Sequence, residues 1–213
     1  MDISRIRRPV VDGDTEATVA AVAEAVAAGV SPSVILTEAL IPAMEEVGEL
    51  FSSGEVFVPE LLMAARAMSA AVELLRPVLA GSGYKTAGTV VIGTVQGDMH
   101  DIGKRLVSMM LEGSGFDVVD LGTDVAPERF VEAAREKDAA IVALSALLST
   151  TLPAMEATVR VLRDAALGGV LILVGGAPVT EAFAQRIGAD GYAPDAPGAA
   201  ALARRLVGGA VTG

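Results

Sequence analysis

From residue 89 onward, short apolar runs alternate with amphipathic stretches, and that alternation leaves few folds open. Residues 89–95, 116–121, 140–145 and 170–174 are rich in Val, Ile and Leu, and 191–193 is a weaker fifth run. Segments with helical spacing follow each one, at about 103–112, 127–136, 153–164, 180–187 and 196–206. The runs are too apolar for either face of a strand to meet water. Strands covered on both faces and alternating with helices predict a parallel sheet between helical layers.

The first part of the chain has a different texture. Residues 14–80 read as helical throughout. Asp14 caps a helix that Gly29 ends, and Ser31-Pro32 opens a second, running to about residue 39. Pro42 starts a third that reaches Phe51, and Pro59 opens a fourth that ends before Pro77. Short loops between four such helices suggest an antiparallel bundle. Residues 1–13 read as an N-terminal segment, with Pro9 interrupting any helix there. Gly and Ser concentrate at 81–88, which reads as a linker or hinge. The expected architecture is therefore a helical cap at 14–80 followed by an α/β domain at 89–213. Five strand–helix units fit the flavodoxin-like (Rossmann-like) order 2-1-3-4-5.

Composition narrows the chemistry. There is no cysteine and one histidine, so disulfides, thiolate nucleophiles and Cys-based metal sites are excluded. A formal charge of −11 opposes binding to phosphate backbones, and 3% aromatics give no stacking platform for nucleic acid. Twelve acidic against five basic residues lie in positions 1–80, so most of the negative charge is there. The N-terminus lacks the apolar core of a signal peptide. Glu24, Glu38 and Glu45 break the Ala/Val-rich segments, leaving no run long enough to span a bilayer. The expectation is a cytoplasmic protein with neither a nucleic-acid nor a membrane partner.

In a sheet of order 2-1-3-4-5, ligands bind beyond the carboxyl ends of the strands, where strands 1 and 3 diverge. The loop after strand 1 carries Gly97-Asp98-Met99-His100-Asp101-Ile102-Gly103. Strand 3 ends in Ser145-Ala146-Leu147, and strand 4 in Gly175-Gly176. A neutral imidazole ligates transition metals well. A carboxylate on its other nitrogen fixes the tautomer, and Asp98 stands two residues away. One histidine cannot hold a naked ion, because structural zinc wants four protein ligands. The metal must arrive already ligated, inside a macrocycle. Glycines lacking Cβ let a bulky group approach the backbone. Asp101 and Lys104 read as loop solvation and helix start, and Met44, Met63 and Met68 as bundle core. Thr151 reads as a helix N-cap before Leu152-Pro153, and a hydroxyl could hold Asp98 in turn.

Asp98-x-His100-x-x-Gly103, then residues 104–144, Ser145-x-Leu147, residues 148–174 and Gly175-Gly176 resembles the cobalamin-binding pattern of the B12-binding fold in types, spacing and order. The resemblance implies that His100 replaces the cofactor's dimethylbenzimidazole as lower axial ligand of cobalt. It implies that Ser145, Leu147, Gly175 and Gly176 line the pocket for the displaced nucleotide tail. It also implies a relay from His100 through Asp98 to Thr151. Residues 41–51 and 54–61 resemble the cap that precedes the cobalamin domain in methionine synthase, and still more the small corrinoid proteins of methyltransferase systems. By that resemblance Phe51, Val58 and Leu61 cover the upper face of the corrin.

The function so implied is a corrinoid methyl carrier, not catalytic alone. It holds cobalamin or a related cobamide base-off and His-on, cycling between methylcobalamin and Co(I) forms. The implied partners are a methyl-donor-specific methyltransferase, an acceptor methyltransferase serving tetrahydrofolate or a thiol, and a reductive activase. The main alternative is a cobalamin-dependent sensor or regulator. The roughly 13 residues before the first bundle helix are too few for its DNA-binding domain. A mutase subunit fits the cap poorly. A response-regulator-like domain is disfavoured by the missing phosphate loop.

Overall fold

A computed structural model describes residues 3–80 and 86–210. It divides into two compact units. One takes the described residues up to Thr86 with Glu112–Gly115; the other takes Ala87–Leu111 and the residues from Phe116 on. The boundary falls within the segment read as a linker, of which 81–85 lie outside the described residues.

The helical unit begins earlier than the sequence suggests. Helix α1 (Ser4–Val11) contains Pro9 in its interior. Ile6 and Val10, one turn apart, are both fully buried, and α1 packs on α2 (Thr15–Ala27). Burying two such side chains contributes about 3–6 kcal/mol, enough to offset the roughly 3 kcal/mol of an internal proline. Asp14 caps α2 by accepting from the Ala17 N–H at 2.9 Å, and Gly29 leaves the helix at a φ of +81°.

Pro42 does not start a separate helix. Helix α3 (Pro32–Ile35) runs through a π-helical turn at Leu36–Leu40 into α4 (Ile41–Ser53) without a break. The Ile41 N–H reaches back to the Leu36 carbonyl. That wider turn re-routes the hydrogen bonds just before a proline that has no N–H to give. Pro77 likewise lies inside α5 (Val58–Ala80) rather than beyond its end. Leu75 and Leu79 are buried on one stripe, so packing carries the helix past the proline.

The second unit has the expected topology. Strands β1 (Thr89–Thr94), β2 (Asp117–Asp120), β3 (Ile141–Ser145), β4 (Leu171–Gly175) and β5 (Gly191–Tyr192) form one parallel sheet ordered β2-β1-β3-β4-β5. The connecting helices are α6 (Ile102–Gly113), α7 (Pro127–Glu136), α8 (Leu152–Asp164) and α9 (Glu181–Ile187), and α10 (Ala196–Ala210) follows β5. Val91, Val142 and Ile172 share a register row and pack into one core with Phe130 of α7 and Met155, Val159 and Leu162 of α8. Beside β5, Leu202 of α10 and Leu173 of β4 both fill the space next to Gly191. At the carboxyl edge Thr94, Ser145 and Gly175 form the last row, from which the loops of interest leave. Among the described residues, no helix is long and apolar enough to cross a membrane.

Candidate functional site

The loops after β1 and β3 meet at the point where the chain order of the sheet reverses. Their junction is Asp98, a fully buried carboxylate. Asp98 Oδ1 accepts from the His100 ring Nδ1 at 2.7 Å and from the His100 backbone N–H at 3.1 Å. Asp98 Oδ2 accepts from the Leu147 N–H at 2.7 Å, the Leu148 N–H at 3.3 Å and the Thr151 hydroxyl at 2.9 Å. Donors 49 to 53 positions along the chain thus converge on one oxygen.

Burial alone pushes the Asp98 carboxyl up. Donors from Leu147, His100 and Thr151 outweigh it and hold the group well below the ordinary carboxylate range. Asp98 is therefore an anion at neutral pH and only accepts hydrogen bonds. His100 Nδ1 must then carry the proton shared with Asp98, leaving Nε2 as the ring nitrogen that Asp98 does not engage. The His100 side chain is 48% exposed, whereas that of Asp98 beneath it is fully buried.

Because its pKa is depressed in the folded state, the stabilisation from Asp98 is present above the unfolded value of 3.8 and declines below it. The stability gap between wild type and Asp98→Asn should be constant above about pH 5 and shrink by about 1 kcal/mol by pH 3. Urea unfolding at both pH values measures it; a gap that holds at pH 3 refutes the assignment.

The loop itself is held from several sides. The Thr94 hydroxyl donates to the His100 carbonyl at 2.8 Å, and the Gly97 N–H donates to Asp124 Oδ1 at 2.7 Å. Asp124 has a φ of +55°, and its N–H donates to the Asp98 carbonyl. Thr151 does not cap α8: its hydroxyl contacts Asp98 and the Leu148 carbonyl instead.

Several readings from sequence change. Lys104 is not a solvated helix-start residue but a buried cation, paired with Asp101 at 2.9 Å and with Asp120. Its side chain is 1% exposed. That Lys104 hydrogen bond is the main cause holding the Asp101 carboxyl below its usual range. Gly176, expected to make room for a ligand, makes room first for the protein. At a φ of +123°, a Cβ there would lie 1.9 Å from the Ala146 carbonyl oxygen. Gly175 is milder, its Cβ position lying 3.1 Å from the Ala193 carbonyl. Ser145 ends β3, and its carbonyl accepts from Val95 N–H. The backbone donors of Leu147 and Leu148 and the side chain of Asp124 are invisible in the sequence, since no residue type marks a backbone amide. In the helical unit Val58 is exposed and Phe51 half-buried, whereas Leu61 is fully buried and presents no surface.

The residues present fit a large, flat, pre-ligated metal group. Among the described residues, no three His, Cys, Asp or Glu side chains gather to hold a bare ion. The one histidine is oriented through Nδ1, as metal-bound histidines are. Met99 and Ile102 flank it at 70% and 85% exposure, and Leu148 is also exposed. Exposed apolar side chains around an oriented imidazole suit an apolar-faced macrocycle.

Comparison with known proteins agrees. Residues 88–201 match one family model described as a B12 binding domain, and residues 3–76 match a second with that description. Dimethylamine corrinoid protein 1 of Methanosarcina acetivorans is 46% identical over 178 residues, covering 83% of this chain and 84% of that protein. Trimethylamine corrinoid protein 1 of Methanosarcina mazei is 43% identical over 197 residues, 91% of each. A chain of the methanol:cobalamin methyltransferase complex of Methanosarcina barkeri superposes with a TM-score of 0.81 at 30% identity, covering 97% of this chain and 80% of that one.

Proposed function

This chain belongs to the family of corrinoid proteins built from B12 binding domains, and from that premise we propose that it is the methyl-carrying subunit of a methylamine methyltransferase system. The observation that carries the proposal is the hydrogen bond from His100 Nδ1 to the buried Asp98 anion, which orients the chain's one imidazole at the switch point of the sheet. Bound there, cobalamin supplies a cobalt centre able to take up and give up a methyl group.

Each residue then has a physical task. His100 offers Nε2 as the lower axial ligand, in the base-off, His-on mode. Asp98 fixes the tautomer and strengthens the ligand's basicity. The Leu147 amide, His100 and the Thr151 hydroxyl keep Asp98 ionised by offering donors to its charged form. Met99, Ile102 and Leu148 exclude water around the ring. Ser145, Leu147 and Gly175 line the tail pocket. Donor and acceptor catalysis fall to partner enzymes. The acceptor enzyme serves tetrahydrofolate or a thiol, and a reductive activase restores the carrier after oxidation.

The donor reading follows the relatives, two of which are named for dimethylamine and trimethylamine. The test loads the full chain with hydroxocobalamin, reduces it, and adds dimethylamine with a dimethylamine methyltransferase. Stoichiometric methyl uptake is the expected result. A chain that binds no corrinoid overturns the carrier reading; one that binds but takes methyl only from another donor overturns the choice of methylamine.

A further inference from the structure

Asp98 pins the His100 loop to β3, and the structure contains a second anchor on the opposite side. Asp101 follows His100 directly. Its carbonyl accepts from the Arg105 N–H at 2.9 Å, and its carboxylate meets Lys104 at 2.9 Å. Lys104 also meets Asp120 Oδ2, at the last position of β2. Asp120 is itself fixed, because its Oδ1 accepts from the Gly122 N–H at 2.8 Å. A continuous polar chain therefore runs from the end of β2 through a buried ammonium to the residue after His100.

Stability alone is a poor reason for this arrangement. Removing a lysine from water is costly, and an apolar side chain of similar length often serves a fold as well. What the charged bridge adds is a defined geometry between two groups that share no backbone hydrogen bond. Arg105 also pairs with Asp101, but it is 73% exposed, and pairs of that kind contribute little.

We propose that Lys104 is a positioning residue for His100: by bridging Asp101 and Asp120 it ties the loop after β1 to the end of β2 and holds the imidazole where it can ligate. This rests on His100 being the cobalt ligand. With β3 holding Asp98 and β2 holding Asp101, the imidazole sits between two fixed points three residues apart.

The test uses the untagged full chain, in which His100 is the single imidazole and its NMR signals are unambiguous. In apo Lys104→Met, the His100 Nδ1–H signal should exchange at least tenfold faster than in wild type. With hydroxocobalamin added, the same variant should lose the imidazole-ligated visible spectrum and bind about tenfold more weakly. In a His100→Ala background, Lys104→Met should change affinity less than twofold, since its effect passes through His100. Unchanged exchange and spectrum, or equal losses in both backgrounds, overturn the inference and leave His100 ligation standing. A wild-type spectrum without imidazole ligation instead overturns the ligand reading, while the apo exchange rates still decide whether Lys104 positions the ring. Should Lys104→Met fail to fold, Asp120→Asn, which leaves the Asp101 pair in place, undergoes the same measurements: faster exchange and loss of the imidazole-ligated spectrum support the inference, and unchanged values overturn it.

Discussion

Cobalamin bound to the His100→Ala chain should give the spectrum of cobalt lacking a protein imidazole, and it should bind roughly 100-fold more weakly than to wild type. Loss of a partner that merely orients a ligand costs 10–100-fold in affinity, so loss of the ligand belongs at the upper end. No other residue can substitute: the chain has no second histidine and no cysteine. The fold should survive, because the ring is half-exposed and Asp98 keeps its donors from Leu147, Leu148 and Thr151. A change of about 1 kcal/mol in unfolding free energy is expected from the lost ring hydrogen bond. Titration by visible absorbance, with urea unfolding alongside, separates ligation from folding. Retention of the wild-type spectrum would remove His100 from the metal.

Gly176→Ala should be the most damaging single-methyl change in the α/β unit. The new Cβ lies 1.9 Å from the Ala146 carbonyl oxygen; that oxygen is backbone and a Cβ has no rotamer, so neither can turn aside. The residue also has a φ of +123°, which alanine rarely adopts. Strained backbone costs about 1–3 kcal/mol and overpacking a similar amount, so a loss of about 3–5 kcal/mol is expected. Gly175→Ala, with 3.1 Å to the Ala193 carbonyl, should cost about 1 kcal/mol. Thermal unfolding of the two apo variants tests the contrast. Equal and small losses would mean that the doublet serves only a ligand. The expected asymmetry means that Gly176 is needed first to let β4 leave the sheet past Ala146.

Much of the architecture is legible in the sequence because it is local or topological. Apolar runs of strand length recur along the second half, and five strand–helix units fit the ladder order that the sheet has. The contact between Asp98 and Thr151 is the one that the resemblance to the B12-binding fold implies. The helix boundaries that differ from expectation all involve proline. Pro9, Pro42 and Pro77 signal breaks by their chemistry, yet each sits within a continuous helical run. Burial of Ile6, Val10 and Leu75 and one π-helical turn outweigh the local preference. Lys104 departs from expectation for the same kind of reason. A lysine at a helix start is usually solvated, and only the position of Asp120 sixteen residues on reveals a buried pair.

The sequence by itself determined the parallel sheet between helices and the identity of its single imidazole. Those follow from side-chain periodicity and from counting residue types, which need no coordinates. Tertiary structure alone decided how that residue is held. The amides of Leu147 and Leu148, the Asp124 clamp, the buried Lys104 and the Ala146 carbonyl against Gly176 are contacts between segments distant in sequence. Their partners are set by packing, and backbone groups, being the same in every residue, carry no sequence signature of the bond they will make.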